Sequence, residues 1–222
     1  KSKTRKHLTE FWMMDAEGAF IEHEENMEQQ EALIKHIAKK CLENCATDLA
    51  LLERDVEPLK KMLELSFEKL TYTEAIEKLH TLGSEITFGD DLGTEDEELL
   101  TKDSPVPVFI HKWPKAIKPF YMKQDPENPD LVLNNDLIGM ENAGEIIGGS
   151  QREDDFDVLS ERIKEDGLDE KEYEWYTDLR KYGSVPHSGF GIGVERMVRW
   201  MSGVAHIREC IPFPRTVNRL KP

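Results

Sequence analysis

The sequence predicts an α+β domain on an antiparallel sheet, and three observations carry that prediction. From residue 25 to 52 the apolar side chains recur at helical spacing over an unusually long run. From residue 105 to 152 several short apolar segments are separated by Pro, Gly, Asn and Asp, the pattern of strands joined by short connections. The order helix, mixed segment, meander, helix lacks the regular strand–helix alternation of a parallel sheet.

Taken in order, apolar residues at 27, 33, 34, 37, 38, 41, 42, 45, 49 and 52 define one amphipathic helix from Glu25 to about Leu52. Cys41 and Cys45 lie on its apolar side and read as buried small hydrophobes. Glu57 to Leu70 reads as a second helix, and Thr73 to Leu79 as a third with Thr73 as N-cap and Gly83 as its stop. The acidic run Asp90 to Glu98 lacks the spacing of a calcium loop and reads as a solvated helix start, its acids at the positive end of the helix dipole. Val106–Ile110, Phe120–Met122, Leu131–Leu133 and Glu145–Gly149 are strand-length, and together form the antiparallel meander. Ser160 to Tyr182 is helical, with Trp175 and Tyr176 as packing residues. The glycine strand Gly189–Gly193 feeds a last helix, Val194–Met201, and the end Ile211–Arg215 is extended by its prolines.

The chain has 222 residues, enough to bury a core without disulfides or a structural metal. Its 29 basic and 45 acidic side chains give a formal charge of −16, which argues against sequence-blind DNA binding, because that affinity comes from cations displacing counterions. The three cysteines are an odd number and no signal peptide is apparent, which predicts a reducing, cytoplasmic setting. No apolar run reaches the roughly 18 residues of a membrane span.

Three features carry possible chemistry. Gly189-Phe190-Gly191-Ile192-Gly193 lacks both the dinucleotide fingerprint and the Gly-Lys-Ser/Thr of a P-loop. It does supply a strand that other groups can approach closely, followed by a helix with Arg196 in its first turn; alone, a packing strand is the stronger reading. In Gly144 to Arg152, strict alternation puts Glu145, Ile147 and Gly149 on one face, so Glu145 would look into a glycine-floored cleft. A carboxylate there suits a magnesium ion bridging phosphates, and the planar fork of Arg152 suits a polar substrate group; an edge-strand salt bridge is the equal alternative. His7 and Phe11, four apart, share a face if their segment is a strand, with core packing as the default.

Together, His7-Leu8-Thr9-Glu10-Phe11-Trp12, the stretch Gly144–Asp154, Gly189–Arg196 and the closing Phe213-Pro214-Arg215 resemble the catalytic domain of class II aminoacyl-tRNA synthetases of the aspartate, asparagine and lysine subgroup. The string Gly-Glu-Ile-Ile-Gly-Gly-Ser-Gln-Arg-Glu is similar to the asparaginyl branch in particular; aspartyl enzymes usually carry serine where Gly148 stands. The resemblance runs the length of the chain.

It implies an antiparallel sheet with flanking helices that binds ATP in a bent form. By the same resemblance Phe11 and Arg196 would enclose adenine, His7 and Arg196 would meet the γ-phosphate, and Gly193 would border the nucleotide. Glu145 would hold Mg2+ directly and Asp136 through water, with Glu145 and Arg196 as the catalytic pair. Asp15, Gln151, Arg152 and His187 would bind the amino acid, with Ser150 nearby, and Gly189, Gly191 and Gly193 would leave the floor bare. Asp15 stands where asparaginyl enzymes mostly have Glu and aspartyl ones Asp.

The implied reaction is activation of asparagine with ATP and transfer to tRNA(Asn). Aspartyl-tRNA synthetase and a synthetase-derived asparagine synthetase are the alternatives. The family's N-terminal anticodon-binding OB domain, the first motif at a homodimer interface, and the start of the second motif with its α-phosphate arginine have no counterpart in residues 1–222. The resemblance therefore implies a homodimeric, longer parent, and a polypeptide that alone forms adenylate poorly.

Overall fold

A computed structural model describes residues 6–221. Six strands form one sheet: β1 (Met13–Ala19), β2 (Glu68–Thr71), β3 (Val108–His111), β4 (Asn134–Gly139), β5 (Gly144–Gln151) and β6 (His187–Gly193). Their spatial order is β1-β6-β5-β4-β3-β2, and every neighbouring pair is antiparallel except β2 with β3. The α+β expectation holds.

Among the described residues eight α-helices flank the sheet: α1 (His23–Asn44), α2 (Ala46–Leu51), α3 (Glu57–Leu63), α4 (Tyr72–Thr81), α5 (Thr94–Thr101), α6 (Phe156–Glu165), α7 (Glu174–Lys181) and α8 (Val194–Ser202). On one face Met27 and Ile34 of α1 and Met197 and Trp200 of α8 pack on Phe109, Leu137, Ile147, Phe190 and Ile192. On the other face α4 and α5 cover the β2–β4 end, through Tyr72, Ile76, Leu79 and Leu100 against Val108, Ile110 and Ile138, and α5 also reaches the start of β5, where Glu97 lies beside Gly144. The β1, β6 and remaining β5 part of that second face is left open, and this opening is the cleft.

Several boundaries differ from the sequence expectation. The long first helix breaks at Cys45 (φ −116°, ψ 21°), although its apolar spacing continues unbroken across the break into α2. The second predicted helix stops at Leu63. Its remainder turns into β2, where Phe67 meets the ring of Phe109 at 6.1 Å and Leu70 pairs with Ile110, so sheet pairing overrides local periodicity. The N-cap of α4 is Thr71 and not Thr73: its hydroxyl accepts from the Glu74 N–H at 3.2 Å and Glu74 reaches back to the Thr71 N–H at 2.8 Å. Residues 160–182 divide into α6 and α7 around Gly167 (φ +68°), and Trp175, expected to pack, is 67% exposed.

In the meander, Phe120–Met122 and Leu131–Leu133 contribute only isolated bridges, Met122 to Arg152, Pro114 to Leu131 and Gln124 to Val132. The strand between them and β5 is Asn134–Gly139, polar in sequence yet buried at all six positions. Its amides are matched inside the protein except at Asn134 Nδ2, which is buried without a partner. Trp113 N–H donates to Asn134 Oδ1 at 3.1 Å, and Asn135 exchanges two hydrogen bonds with Gln30 of α1, at 2.6 and 3.2 Å.

Candidate active site

The floor of the cleft comes from strand parity. On β1, Met13, Asp15 and Glu17 pair with Gly193, Gly191 and Gly189 of β6. A β-carbon at Gly191 would lie 2.5 Å from Met13 Cε and 2.7 Å from Asp15 Oδ1, and one at Gly189 would lie 2.2 Å from the Glu17 carboxylate. The floor at these two glycines is therefore not bare as expected: the side chains of β1 lie across it.

The alternation expected for β5 is also corrected. The register shifts between Leu137 and Ile138, so that Leu137 pairs with Ile147 but Ile138 with Glu145. This irregularity leaves Ile146 as the extra residue, and Ile146 and Ile147 both enter the core. Glu145 consequently shares its face with Gly148, not with Ile147: a β-carbon at Gly148 would meet Glu145 Oε1 at 3.1 Å and Asp136 Oδ1 at 3.8 Å. The same shift puts Ser150 and Arg152 on the cleft side. Without it, Glu145 and Arg152, seven apart, would face opposite ways.

Two lobes share the wall formed by Met13, Glu145, Gly148 and Gly191. The first, about 240 Å³, is bordered by His7, Phe11, Gly193 and Arg196. Residues 7–12 are not a strand, so His7 and Phe11 meet here through the path of a loop instead of a shared strand face. That loop is fixed at both ends. The Trp12 N–H donates to the Glu195 carboxylate at 2.9 Å while the Val194 N–H donates to the Trp12 carbonyl at 2.9 Å, and the Thr9 N–H donates to the Arg215 carbonyl at 3.2 Å. Arg215 also pairs with Glu10, so the Phe213-Pro214-Arg215 tail braces the loop from outside. Phe11 remains 54% exposed, its ring open to a stacking partner. Arg196, in the first turn of α8, donates from Nη1 to the Glu145 carbonyl. Burial, and then the charges of Arg196 and Lys6, hold the His7 imidazole below its usual range. Lys6 and Arg196 are the cations of this lobe, and Glu145 and Glu195 its carboxylates.

The second lobe, about 590 Å³, is bordered by Asp15, Glu17, Lys118, Tyr121, Asp136 and Arg152. Arg152 is held on three sides: Nε donates to Glu17 Oε1 at 3.0 Å, Nη1 to Ser150 Oγ at 2.6 Å, and the guanidinium lies 5.3 Å from the Tyr121 ring centre. Lys118 Nζ donates to Asp136 Oδ2 at 2.7 Å and sits 3.8 Å over the Trp113 ring. Sequence reasoning missed Glu17, Lys118 and Tyr121. Glu17 carried a signal, since it lies two residues beyond Asp15 on the same strand face.

Two expected amino-acid ligands fall outside both lobes. Gln151 points to the opposite face, buried, where its Oε1 accepts from the His23 N–H at 3.2 Å; it follows Ser150 on the strand, and adjacent residues face opposite ways. His187 lies on the cleft face of β6 but at its far end. Its Nδ1 is 2.8 Å from the Val185 carbonyl and its Nε2 is 3.4 Å from Arg180 Nη2.

Where the lobes meet, the chemistry of the donor set calls for a cation. Burial and then the Asp136 carboxylate push Glu145 up to about 7, and burial pushes Asp136 up as well, against the opposing pull of Lys118. A buried carboxylate, Asp136, and a half-buried one, Glu145, converging over a glycine fit a hard divalent ion such as Mg2+.

The comparisons with known proteins agree with this geometry. The family model for tRNA synthetases class II (D, K and N) matches residues 1–217. The asparaginyl-tRNA synthetase from Pyrococcus horikoshii, solved with asparaginyl-adenylate, is 48% identical and superimposes with a TM-score of 0.96; the match covers 100% of this chain and 51% of that one. The asparaginyl-tRNA synthetase from Entamoeba histolytica, also with asparaginyl-adenylate, is 33% identical with a TM-score of 0.88, covering 100% and 51%. The aspartyl-tRNA synthetase from the same organism is 33% identical with a TM-score of 0.89, covering 100% and 46%. The chain thus spans about half the length of the structures it matches. With the fold and the family motifs arranged around one two-lobed cleft, the chain belongs to the class II aminoacyl-tRNA synthetases of the aspartate, lysine and asparagine group.

Proposed function

We propose that the chain carries the amino-acid-activating site of an asparagine–tRNA ligase, acting with ATP on asparagine and then on tRNA(Asn) within a homodimeric parent. The observation that supports this best is the meeting of two lobes at Glu145, one bringing Arg196 and the exposed Phe11 ring together, the other polar. The first lobe suits ATP: Phe11 and Arg196 stack on adenine, and His7 and Arg196 receive the γ-phosphate while Gly193 leaves room beside the ring. Glu145 and Asp136 would hold Mg2+, which when bound supplies electrostatic stabilisation of the phosphates. The asparagine α-carboxylate lies between the lobes and attacks the α-phosphorus, the bond to the β-phosphate oxygen breaks and pyrophosphate leaves, so the protein needs to position charge and not to supply a nucleophile.

Asparagine over aspartate is supported by charge. Arg152 is already paired with Glu17, and Asp15 adds a second carboxylate nearby. A substrate carboxylate entering there meets a neutralised arginine and a surplus of negative charge, whereas a carboxamide accepts from Arg152 through its oxygen and donates to Glu17 or Asp15 through its nitrogen. Aspartate remains the second reading, because an aspartyl enzyme is as similar as the Entamoeba asparaginyl one. Pyrophosphate exchange by the full-length parent with each amino acid tests the choice: preference for asparagine is expected, and preference for aspartate overturns it.

A further inference from the structure

On the α1 side of the sheet, away from the cleft, the first turn of α1 meets the end of β3. His23, Glu24 and His111 come together there, with ligand atoms all within 4.8 Å of one another; among the described residues no other such group of three occurs. His23 is 4% exposed, yet neither of its ring nitrogens has a hydrogen-bond partner in the protein, and the buried Nδ1 of His111 lacks one too. Buried polar atoms are nearly always matched, so three unmatched nitrogens gathered in one spot point to a ligand there.

We propose that His23, His111 and Glu24 bind a divalent transition-metal ion of the zinc class, at a site separate from the carboxylates of the cleft. Two imidazoles and one carboxylate are a donor set that borderline metals accept and Mg2+ does not favour. Donors around a tetrahedral ion lie about 3.3–3.5 Å apart when the bonds are about 2.0–2.1 Å, so modest side-chain rotations close the present spacing. The rings already approach with centroids 5.6 Å apart at a 38° tilt. Burial, and then His111, hold His23 down at about 4, and burial lowers His111, so both rings are neutral and keep a free lone pair at neutral pH.

The surrounding cations do not block the site. Lys112 is held by Asp125 at 2.8 Å, and Lys69 pairs with Glu24 at 3.1 Å. The Glu24 side chain is 62% exposed, so this pair exchanges readily for an ion entering from solvent on that side. A bound ion would pin α1 to β3. It would also steady the His23 N–H that Gln151 accepts from, immediately next to Arg152 in sequence.

Titration of the full chain with Co2+, followed by visible absorption, and with Zn2+, followed by calorimetry and thermal melting, tests the site. Expected are one tight equivalent of Co2+ with a d–d spectrum, displacement by Zn2+ but not by excess Mg2+, and a higher melting temperature with Zn2+. Glu24→Gln alters an exposed side chain and should fold normally; it and His111→Gln should each weaken Co2+ binding by about tenfold or more. Far-UV circular dichroism checks the histidine variant. Absence of stoichiometric binding, displacement by Mg2+, or affinity unchanged in the Glu24→Gln protein overturns the proposal.

Discussion

Arg152 and Glu17 meet across the second lobe as a preassembled ion pair, with the arginine Nε 3.0 Å from the carboxylate although the residues lie on β1 and at the end of β5. The pair sets the charge that an incoming amino-acid side chain encounters. Replacing Glu17 with Gln keeps the shape but leaves Arg152 with unopposed charge, which favours a carboxylate over a carboxamide. The expected outcome in the full-length parent is a rise of about tenfold or more in the aspartate-to-asparagine ratio of kcat/KM, corresponding to a charged hydrogen bond of about 1.5–3 kcal/mol. Pyrophosphate exchange measures it, and an unchanged ratio removes Glu17 from discrimination.

Glycines of the sheet separate into those that serve the site and those that serve the fold. A methyl group at Gly191 meets only the flexible ends of Met13 and Asp15, so Gly191→Ala should fold with near-normal stability while pushing those side chains into the cleft and raising the KM for the amino acid. At Gly139 the methyl meets Ala143 Cβ at 2.8 Å and Ile146 Cγ1 at 2.9 Å, inside the core. Gly139→Ala should therefore destabilise by about 1–3 kcal/mol, as overpacking does, with a lower urea midpoint. Equal stability losses in both variants would contradict this division.

Arg196 is held over the shared wall by its bond to the Glu145 carbonyl, at the start of a helix whose dipole favours anions. Arg196→Ala removes both a stacking plane and a charge. The KM for ATP in the parent enzyme should rise about tenfold or more, the amount that about 1.4 kcal/mol represents, with a smaller change in the KM for the amino acid. Unchanged ATP dependence would refute the assigned role.

How much of this was legible in the sequence depended on whether a residue's role was local. The glycine strand leading to Arg196 could be read from spacing alone, because strand and helix turn there within a few residues. Arg152 was placed on the cleft side although strict alternation with Glu145 forbids it; the register shift at Ile146 that permits it is a property of two strands, invisible in one. Gln151, expected among the amino-acid ligands, faces away from the cleft because adjacency in sequence is opposition on a strand. Strand β2 hid inside a helical pattern because its pairing partner lies about forty residues on in the chain. Strand β4 hid for a different reason: Asn134, Asn135 and Asp136 look like a turn until Gln30, Trp113 and Lys118 are brought to them.

The reciprocal pair of Gln30 and Asn135 shows what that matching is worth. Both side chains are 0% exposed, so neither amide can turn to water if its partner is lost. Gln30→Leu should destabilise by about 1–3 kcal/mol, the cost of leaving the Asn135 amide buried and unpaired. Asn135→Leu should cost a similar amount through Gln30. Replacing both removes the desolvated orphan, so the double variant should be more stable than the sum of the two losses predicts, by about 0.5–3 kcal/mol. Urea unfolding of the four proteins measures the coupling. Strict additivity would mean that the two amides find other partners once separated, and that β4 is polar for a reason other than its contact with α1.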